Sequence, residues 1–197
     1  MYHVIGSPAT RAFRVLWTLE ELGQPYDLTP AAPRSDAARA ANPSGKVPAL
    51  TVDGQTLTDS VAIMTYLADK HGALTHPAGT LKRALQDALT HAILDEMDAV
   101  LWTAARHTFV LPEDKRLPEV KDSLKWEFEA SQKRFSDALE GPYLMGEEMT
   151  IADILLVHCL NWARAAGFPP ADEKLKTYAK GLKARPAFQK VAAMAKG

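Results

Sequence analysis

The chain is poor in the residues that build disulfide frameworks and metal centres: one of its 197 residues is a cysteine, Cys159. A single cysteine excludes an internal disulfide framework and any multi-cysteine metal site, so nothing argues for an oxidising compartment. The histidines show no ligand spacing, and metal binding is not expected. Cys159 lies in an apolar segment and is expected to be a small buried hydrophobe.

A strong net charge and a long apolar run are also missing. The net charge is −1 with 24% charged residues, which gives no reason to expect nucleic acid or an acidic membrane surface as a partner. No apolar run approaches the ~20 residues that span a bilayer. The segment Met1–Gly6 lacks the basic start and long apolar core of a signal peptide. We therefore expect a cytoplasmic protein that acts on a small molecule, with no nucleic acid and no membrane partner.

The hydrophobic periodicity changes near residue 75 and predicts two domains, 1–75 and 80–197. The first half reads β-α-β-α-β-β-α. Its predicted strands are Tyr2–Ile5, Gln24–Thr29, Val47–Val52 and Gln55–Thr58, and its predicted helices are Phe13–Leu22, Asp36–Ala41 and Val61–Gly72. The second half shows only helical periodicity, with helices predicted at Leu81–His107, Pro118–Leu139, Thr150–Ala166, Glu173–Lys180 and Pro186–Met194. An α/β domain followed by an all-α helical bundle is expected.

The stretch Asn42–Leu50, together with Asp59 and Ser60, suggests a peptide-binding platform. Pro48 biases Val47 towards an extended conformation, and an X-Pro bond is cis at small cost, so the Val47 N–H and C=O are expected to be open to another extended backbone. The alternative is a plain proline at the entry to a strand. Asp59 or Ser60 is expected to cap the next helix, whose free N–H groups and the Ser60 hydroxyl suit a carboxylate, while Asp59 suits an ammonium group.

Two sequence motifs carry a family resemblance. Gly-Lys-Val-Pro-Ala-Leu, followed by Asp-Ser-x-Ala-Ile, resembles the glutathione-binding half of cytosolic glutathione S-transferases, of the bacterial, theta/phi-like serine type. The loop before Thr150 and the capping box that Thr150 forms with Asp153 resemble the start of the family's core helix. The family normally has Glu or Gln where this chain has the shorter Asp59.

The resemblance implies a thioredoxin-like N-terminal domain that binds glutathione and an all-helical C-terminal domain. It implies a homodimer and glutathione as the co-substrate, activated for attack on a small-molecule electrophile in a detoxification-type reaction. The glutathione-binding residues that it implies are Lys46, Val47, Pro48, Asp59 and Ser60. Lys46 is expected at the glycyl carboxylate of the tripeptide, or is a solvated loop lysine.

Thiolate formation needs a hydrogen-bond donor near the sulfur, because an ordinary thiol has a pKa of about 8.5 and the thiolate is the nucleophile. The theta-like branch has a catalytic serine four residues before an arginine, and Ser7 and Arg11 keep that offset. We expect Ser7 to be the donor, with Thr10 as the alternative; both residues would otherwise only cap the helix. Arg11 either supports the thiolate or lies on a solvated face.

The electrophile side is expected on the first long helix of the second half. Trp102, Arg106 and Phe109 combine aromatic area with a cation, which suits an apolar or anionic electrophile, although aromatic residues at helical spacing are also typical of a core. Two other functions remain open. One is a non-catalytic module with the same fold that binds glutathione or a protein; the other is a glutathione-dependent peroxidase, isomerase or disulfide reductase.

Overall fold

A computed structural model describes residues 1–195 of the protein. It divides into two compact units, one formed by Met1–Thr80 with the described residues from Leu182 onward, the other by Leu81–Gly181. Within residues 1–195, no helix combines the length and the apolar character that crossing a membrane requires.

The first unit is built on a four-stranded mixed sheet. Its strands are β1 (Tyr2–Ile5), β2 (Tyr26–Thr29), β3 (Ala49–Val52) and β4 (Gln55–Thr58). Their order is β2-β1-β3-β4, in which β1 is parallel to β2 and antiparallel to β3, and β3 is antiparallel to β4. The helices between the strands are α1 (Ala12–Glu21), α2 (Asp36–Ala41) and α3 (Ser60–His71). The predicted β-α-β-α-β-β-α order is confirmed.

The strand register brings three chain segments to one edge of the sheet. Ile5 pairs with Ala49, and Ala49 pairs with Thr58. The residues that follow β1, precede β3 and follow β4 are therefore neighbours. These are the segments in which the sequence predicts the site.

The core of the first unit follows from strand alternation. Ile5 and Ala49 are buried with Ala38 of α2 in one cluster, so the next residues along the strands, Val4 and Leu50, face the other side of the sheet. Val4 and Leu50 are fully buried, and α1 and α3 pack against each other. The sheet is thus covered by helices, as the apolar strands require.

The second unit is all-helical. Its helices are α4 (Leu81–Ile93), α5 (Ala99–Ala105), α6 (Val120–Ala138), α7 (Ile151–Ala165) and α8 (Glu173–Lys183). Two π-helical segments, Leu94–Asp98 and Arg106–Val110, join α4 to α5 and extend α5. The single helix predicted over Leu81–His107 is therefore a helical run interrupted by two wider turns, which periodicity alone does not reveal. A short 3₁₀ turn, Glu113–Lys115, precedes α6.

Helix α7 is the buried axis of the second unit, as its apolar sequence predicts. The residues of its first two turns, Ile151–Val157, are all buried, as is Cys159. The predicted capping box is present: Asp153 accepts from the Thr150 N–H at 2.7 Å. The same carboxylate accepts from the Leu144 N–H and the Tyr178 hydroxyl, both at 2.8 Å. Burial raises the pKa of Asp153, and these hydrogen bonds oppose that rise.

The last helix, α9 (Pro186–Met194), packs on α1 in the first unit. Arg185 donates two hydrogen bonds of 2.7 Å to the Glu21 carboxylate, and the Phe188 ring lies against Trp17 with centroids 4.9 Å apart. The sequence predicts α9 as a helix. Its grouping with the first unit was not predicted, because it depends on contacts between residues 164 positions apart.

Two predicted strands begin later than expected. β2 begins at Tyr26 and β3 at Ala49, whereas the predicted starts are Gln24 and Val47. The proline at position 25 and the proline at position 48 both lack an N–H group, so neither can donate to a sheet ladder.

Candidate functional site

The start of α3 differs from the expectation that its N–H groups are free. Asp59 is the N-cap residue, with φ of 70°, and its Oδ1 accepts from the N–H groups of Val61 and Ala62 at 2.9 and 3.1 Å. The Ile63 N–H donates to the Asp59 carbonyl. The sequence left the cap open between two residues, and the structure assigns it to Asp59. The second carboxylate oxygen of Asp59, on an exposed residue, accepts no hydrogen bond from residues 1–195.

Ser60 keeps two donors available. Its side chain is 3% exposed, and its hydroxyl oxygen accepts from Arg14 Nη1 at 3.2 Å. Its hydroxyl proton and its backbone N–H have no acceptor within the described part of the chain. The anion site at the helix start thus has fewer free donors than predicted, namely the hydroxyl and the N–H of Ser60.

The Val47-Pro48 segment has an open backbone. The peptide bond between these residues is cis, and neither the N–H nor the C=O of Val47 is engaged by residues 1–195. The preceding loop is fixed by Asn42, whose side chain donates to the Lys46 carbonyl at 3.1 Å and accepts from the Ser44 N–H at 3.1 Å. A rigid loop therefore presents one extended residue with a donor and an acceptor, which is the geometry that pairing with a peptide needs.

The two hydroxyls in the turn after β1 differ in their hydrogen bonds. Thr10 donates its proton to the Ser7 carbonyl at 2.7 Å and accepts from the Ala12 N–H at 3.2 Å. The Ser7 hydroxyl accepts from the Ala9 N–H at 3.3 Å, and its proton has no acceptor in residues 1–195. Thr10 thus holds the turn that starts α1, whereas Ser7 retains a proton to donate.

Gly6 joins this turn to the Val47-Pro48 segment. A Cβ at Gly6 would lie 2.7 Å from the Cβ of Ala12 and 3.5 Å from that of Val47. No larger residue fits between α1 and the loop without moving one of them. The close approach places Gly6, the residue before Ser7, beside the Val47 side chain.

The remaining predicted glutathione-side residues are less informative. Lys46 is exposed and its ammonium group has no ion-pair partner among residues 1–195, so both interpretations of this residue remain. Arg11 is partly exposed at the start of α1.

Arg14 was not predicted as a site residue from the sequence. An arginine in an amphipathic helix suggests a solvated face, and its partner Ser60 lies 46 positions away.

The three predicted electrophile-side residues lie in one helical run of the second unit. Trp102 belongs to α5, and Arg106 and Phe109 belong to the π-helical segment that follows it. Arg106 Nη2 donates to the Thr103 hydroxyl at 2.9 Å, and Phe109 is 68% exposed. An aromatic ring that is this exposed is not a core residue, and the role of all three side chains stays a prediction.

The β2-β1-β3-β4 sheet with its helices defines a thioredoxin-like fold, and the Val47-Pro48 segment and the Asp59-Ser60 helix start lie at one edge of that sheet. Two family models match the chain: the glutathione S-transferase N-terminal domain over residues 1–76, and the glutathione S-transferase C-terminal domain over residues 95–186. This chain belongs to the glutathione S-transferase family.

Individual relatives agree with this assignment. The glutathione S-transferase GstA of Escherichia coli O157:H7 is 31% identical over 75% of this chain and 75% of its own length. A maleylacetoacetate isomerase of Rhizobium meliloti is 29% identical over 76% of this chain and 75% of its own length. The crystal structure of a theta class glutathione S-transferase from Xanthomonas axonopodis pv. citri, with glutathione bound, has a TM-score of 0.80 at 25% identity and covers 96% of this chain and 95% of that chain.

Proposed function

We propose that this protein is a glutathione transferase, which binds glutathione at the sheet edge of its first unit and activates the thiol for attack on a small electrophile. The observation that carries the proposal is the set of open groups along that edge: the Val47 backbone, the Ser60 donors and one Asp59 oxygen. Ser60 is buried and its hydroxyl proton has no acceptor among residues 1–195, which leaves this proton available to a ligand.

Each open group matches one part of the tripeptide. The Ser60 hydroxyl and N–H bind the α-carboxylate of the γ-glutamyl residue, and the free Asp59 oxygen binds its ammonium group. The Val47 N–H and C=O pair with the backbone of the cysteinyl residue. Lys46 is assigned to the glycyl carboxylate, at the other end of the peptide. Glutathione is thus a co-substrate, held in an extended conformation.

Ser7 is the proposed hydroxyl donor to the sulfur. Lowering a thiol pKa of about 8.5 by ~2 units requires roughly 2.7 kcal/mol of selective stabilisation of the thiolate. A charge-assisted hydrogen bond from a hydroxyl, close to the start of a helix, is within this range. The uncommitted proton of Ser7 supports this role, and Thr10 is the second choice because its proton is already donated to a carbonyl. Arg11 is proposed to support the anion.

The electrophile is assigned to the helical half, where Trp102, Arg106 and Phe109 are the candidate contacts. The proposed division of function, with glutathione bound by residues 1–75 and the electrophile by residues 80–197, follows the order of the two family models. A cytoplasmic location is part of the proposal.

We also propose a homodimer. Leu81 and Leu85 lie one turn apart on α4, are 77% and 53% exposed, and form an apolar patch suited to contact with a second copy of the chain. Sedimentation equilibrium measures the mass directly. A monomer at micromolar concentration would reject this part of the proposal and leave the activity untouched.

Retention on immobilised glutathione, combined with a chloronitrobenzene conjugation assay, tests the main proposal. Binding with conjugation is expected. Retention without conjugation would reject the transferase function in favour of a binding module.

An isomerase is the second candidate function, and the maleylacetoacetate isomerase relative is the observation that favours it. Glutathione-dependent cis-trans isomerisation uses the same thiolate, adding it to a conjugated acid and releasing it again. Turnover of maleylacetoacetate that exceeds conjugation would select this reaction.

A further inference from the structure

Arg14 is a buried cation to which the proposed reaction assigns no role. Its side chain is 1% exposed, in the middle of α1. Burying a guanidinium group is unfavourable unless hydrogen bonds and charge compensate for the lost water. Its Nη1 points at Ser60, the residue whose donors are assigned to a carboxylate, at 3.2 Å from the hydroxyl oxygen.

The hydrogen bond from Arg14 decides where the Ser60 proton points. A serine hydroxyl has one proton and two acceptor positions. Because its oxygen accepts from a guanidinium N–H, the proton must be donated away from Arg14. Accepting from a cation also polarises the O–H bond and makes it a better donor. Ser60 is therefore oriented and strengthened as a donor before any ligand arrives.

The negative charge of Asp59 at the helix start favours a cation beside Ser60. Asp59 places its carboxylate on the N–H groups of Val61 and Ala62, next to that of Ser60, and so offsets part of the positive charge of the helix start. A ligand carboxylate on Ser60 then meets a fixed negative side chain next to it. A buried cation on the other side of the Ser60 hydroxyl corrects this imbalance, because charges interact strongly where water is excluded.

We propose that Arg14 is a positioning residue for glutathione recognition: it orients the Ser60 hydroxyl and supplies the positive charge that selects a ligand carrying the γ-glutamyl α-carboxylate. This inference rests on the proposed function and goes beyond it, since it assigns the carboxylate selectivity to a side chain that acts through Ser60.

Three S-methyl peptides, which have no free thiol, test the contributions of the α-carboxylate and the ammonium group one at a time. S-methylglutathione carries both the α-carboxylate and the ammonium group. Its 4-aminobutanoyl analogue lacks only the carboxylate, and its glutaryl analogue lacks only the ammonium group. Isothermal titration gives the dissociation constant of each peptide with the wild-type protein and with the variants Arg14→Gln and Arg14→Lys.

The expected result is a selective loss. Arg14→Gln should raise the dissociation constants of S-methylglutathione and the glutaryl analogue by about 10- to 100-fold, the range for a charge-assisted hydrogen bond. The dissociation constant of the 4-aminobutanoyl analogue should stay unchanged. Arg14→Lys keeps the cation and should retain most of the preference for the carboxylate. Unchanged binding of the 4-aminobutanoyl analogue also shows that the variant is folded.

Equal weakening of all three peptides by Arg14→Gln, or no weakening of any, would overturn the proposal. If Arg14→Gln does not fold, Arg14→Lys decides, and loss of the carboxylate preference in a folded Arg14→Lys protein contradicts the role. Failure of both variants to fold would make Arg14 a structural residue only. If the wild-type protein binds none of the three peptides, the proposed function itself fails, which is a different outcome.

Discussion

Two helix starts in this protein each combine an aspartate with a hydroxyl residue, but they differ in how many hydrogen-bonding groups are left without a partner. At α7, Thr150 and Asp153 form a closed capping box, and the buried Asp153 carboxylate accepts from the Thr150 N–H, the Leu144 N–H and the Tyr178 hydroxyl. At α3, Asp59 caps the helix and Ser60 follows it, and one oxygen of Asp59 and both donors of Ser60 have no partner within residues 1–195.

The difference lies in what is left unpaired. A cap whose groups are all satisfied stabilises the fold and has nothing to offer a ligand. A cap in which a buried hydroxyl keeps its proton is incomplete until a ligand supplies the acceptor. The comparison predicts that variants at α7 lower stability and variants at α3 lower affinity for glutathione.

The largest expected effect is on stability, at α7. Asp153→Ala leaves two backbone N–H groups and the Tyr178 hydroxyl without an acceptor in the core, and it should lower the free energy of unfolding by about 3–4 kcal/mol. Asp59→Ala, the matched change at the exposed cap, should lower it by about 1 kcal/mol. Urea denaturation measures both. Equal losses for the two variants would mean that the two caps are not different in kind.

The next effect is on turnover, at the start of α1. Ser7→Ala should lower kcat by about 100-fold, because removing one preorganised donor to a developing anion has an effect of this size. Thr10→Val should lower it much less, since the Thr10 proton already bonds to a carbonyl. Conjugation kinetics at saturating glutathione compare the two. A larger loss in Thr10→Val would move the donor role to Thr10.

A smaller effect is expected on affinity, at α3. Ser60→Ala removes one hydrogen bond to a carboxylate and should lower the affinity for S-methylglutathione about 10-fold. Thr150→Ala should leave that affinity unchanged while lowering stability. Titration of both variants with the same peptide makes the comparison. If Thr150→Ala weakens the peptide as much as Ser60→Ala does, the effect is global.

The smallest effect is the pH dependence of the closed cap. Burial raises the pKa of Asp153, so its contribution to stability is fully present below the unfolded-state pKa of about 3.9 and is lost as the pH rises through the folded-state value. The stability of the wild-type protein relative to Asp153→Asn, whose side chain does not titrate, should therefore fall as the pH rises above about 4. Urea curves across this range test the sign, and a relative stability that increases with pH would contradict it.

Local signals in the sequence account for much of the fold. Gly72 ends α3 in a left-handed conformation, Ser35 caps α2, and the Asp53-Gly54 turn joins β3 to β4, all as residue preferences predict. These features depend on residues that are close together in the chain. The π-helical turns around α5 and the packing of α9 on α1 depend on distant contacts, and the sequence did not predict them.

In the candidate site, too, the features that depend on neighbouring residues were predicted and those that depend on distant contacts were not. The open Val47 backbone was predicted because the effect of Pro48 on its neighbour is local. The occupied N–H groups at the start of α3 were not predicted, since the choice between Asp59 and Ser60 as the cap depends on the backbone angles at Asp59. Arg14 was missed because its burial depends on α3, which lies more than 40 residues further along the chain.

A crystal structure with S-methylglutathione bound tests the central claim most directly. The account predicts the γ-glutamyl carboxylate within hydrogen-bond distance of both the Ser60 hydroxyl and the Ser60 N–H, with the ammonium group on the free oxygen of Asp59 and the cysteinyl backbone paired with Val47. A tripeptide whose carboxylate is held elsewhere, with Ser60 still open, would contradict it.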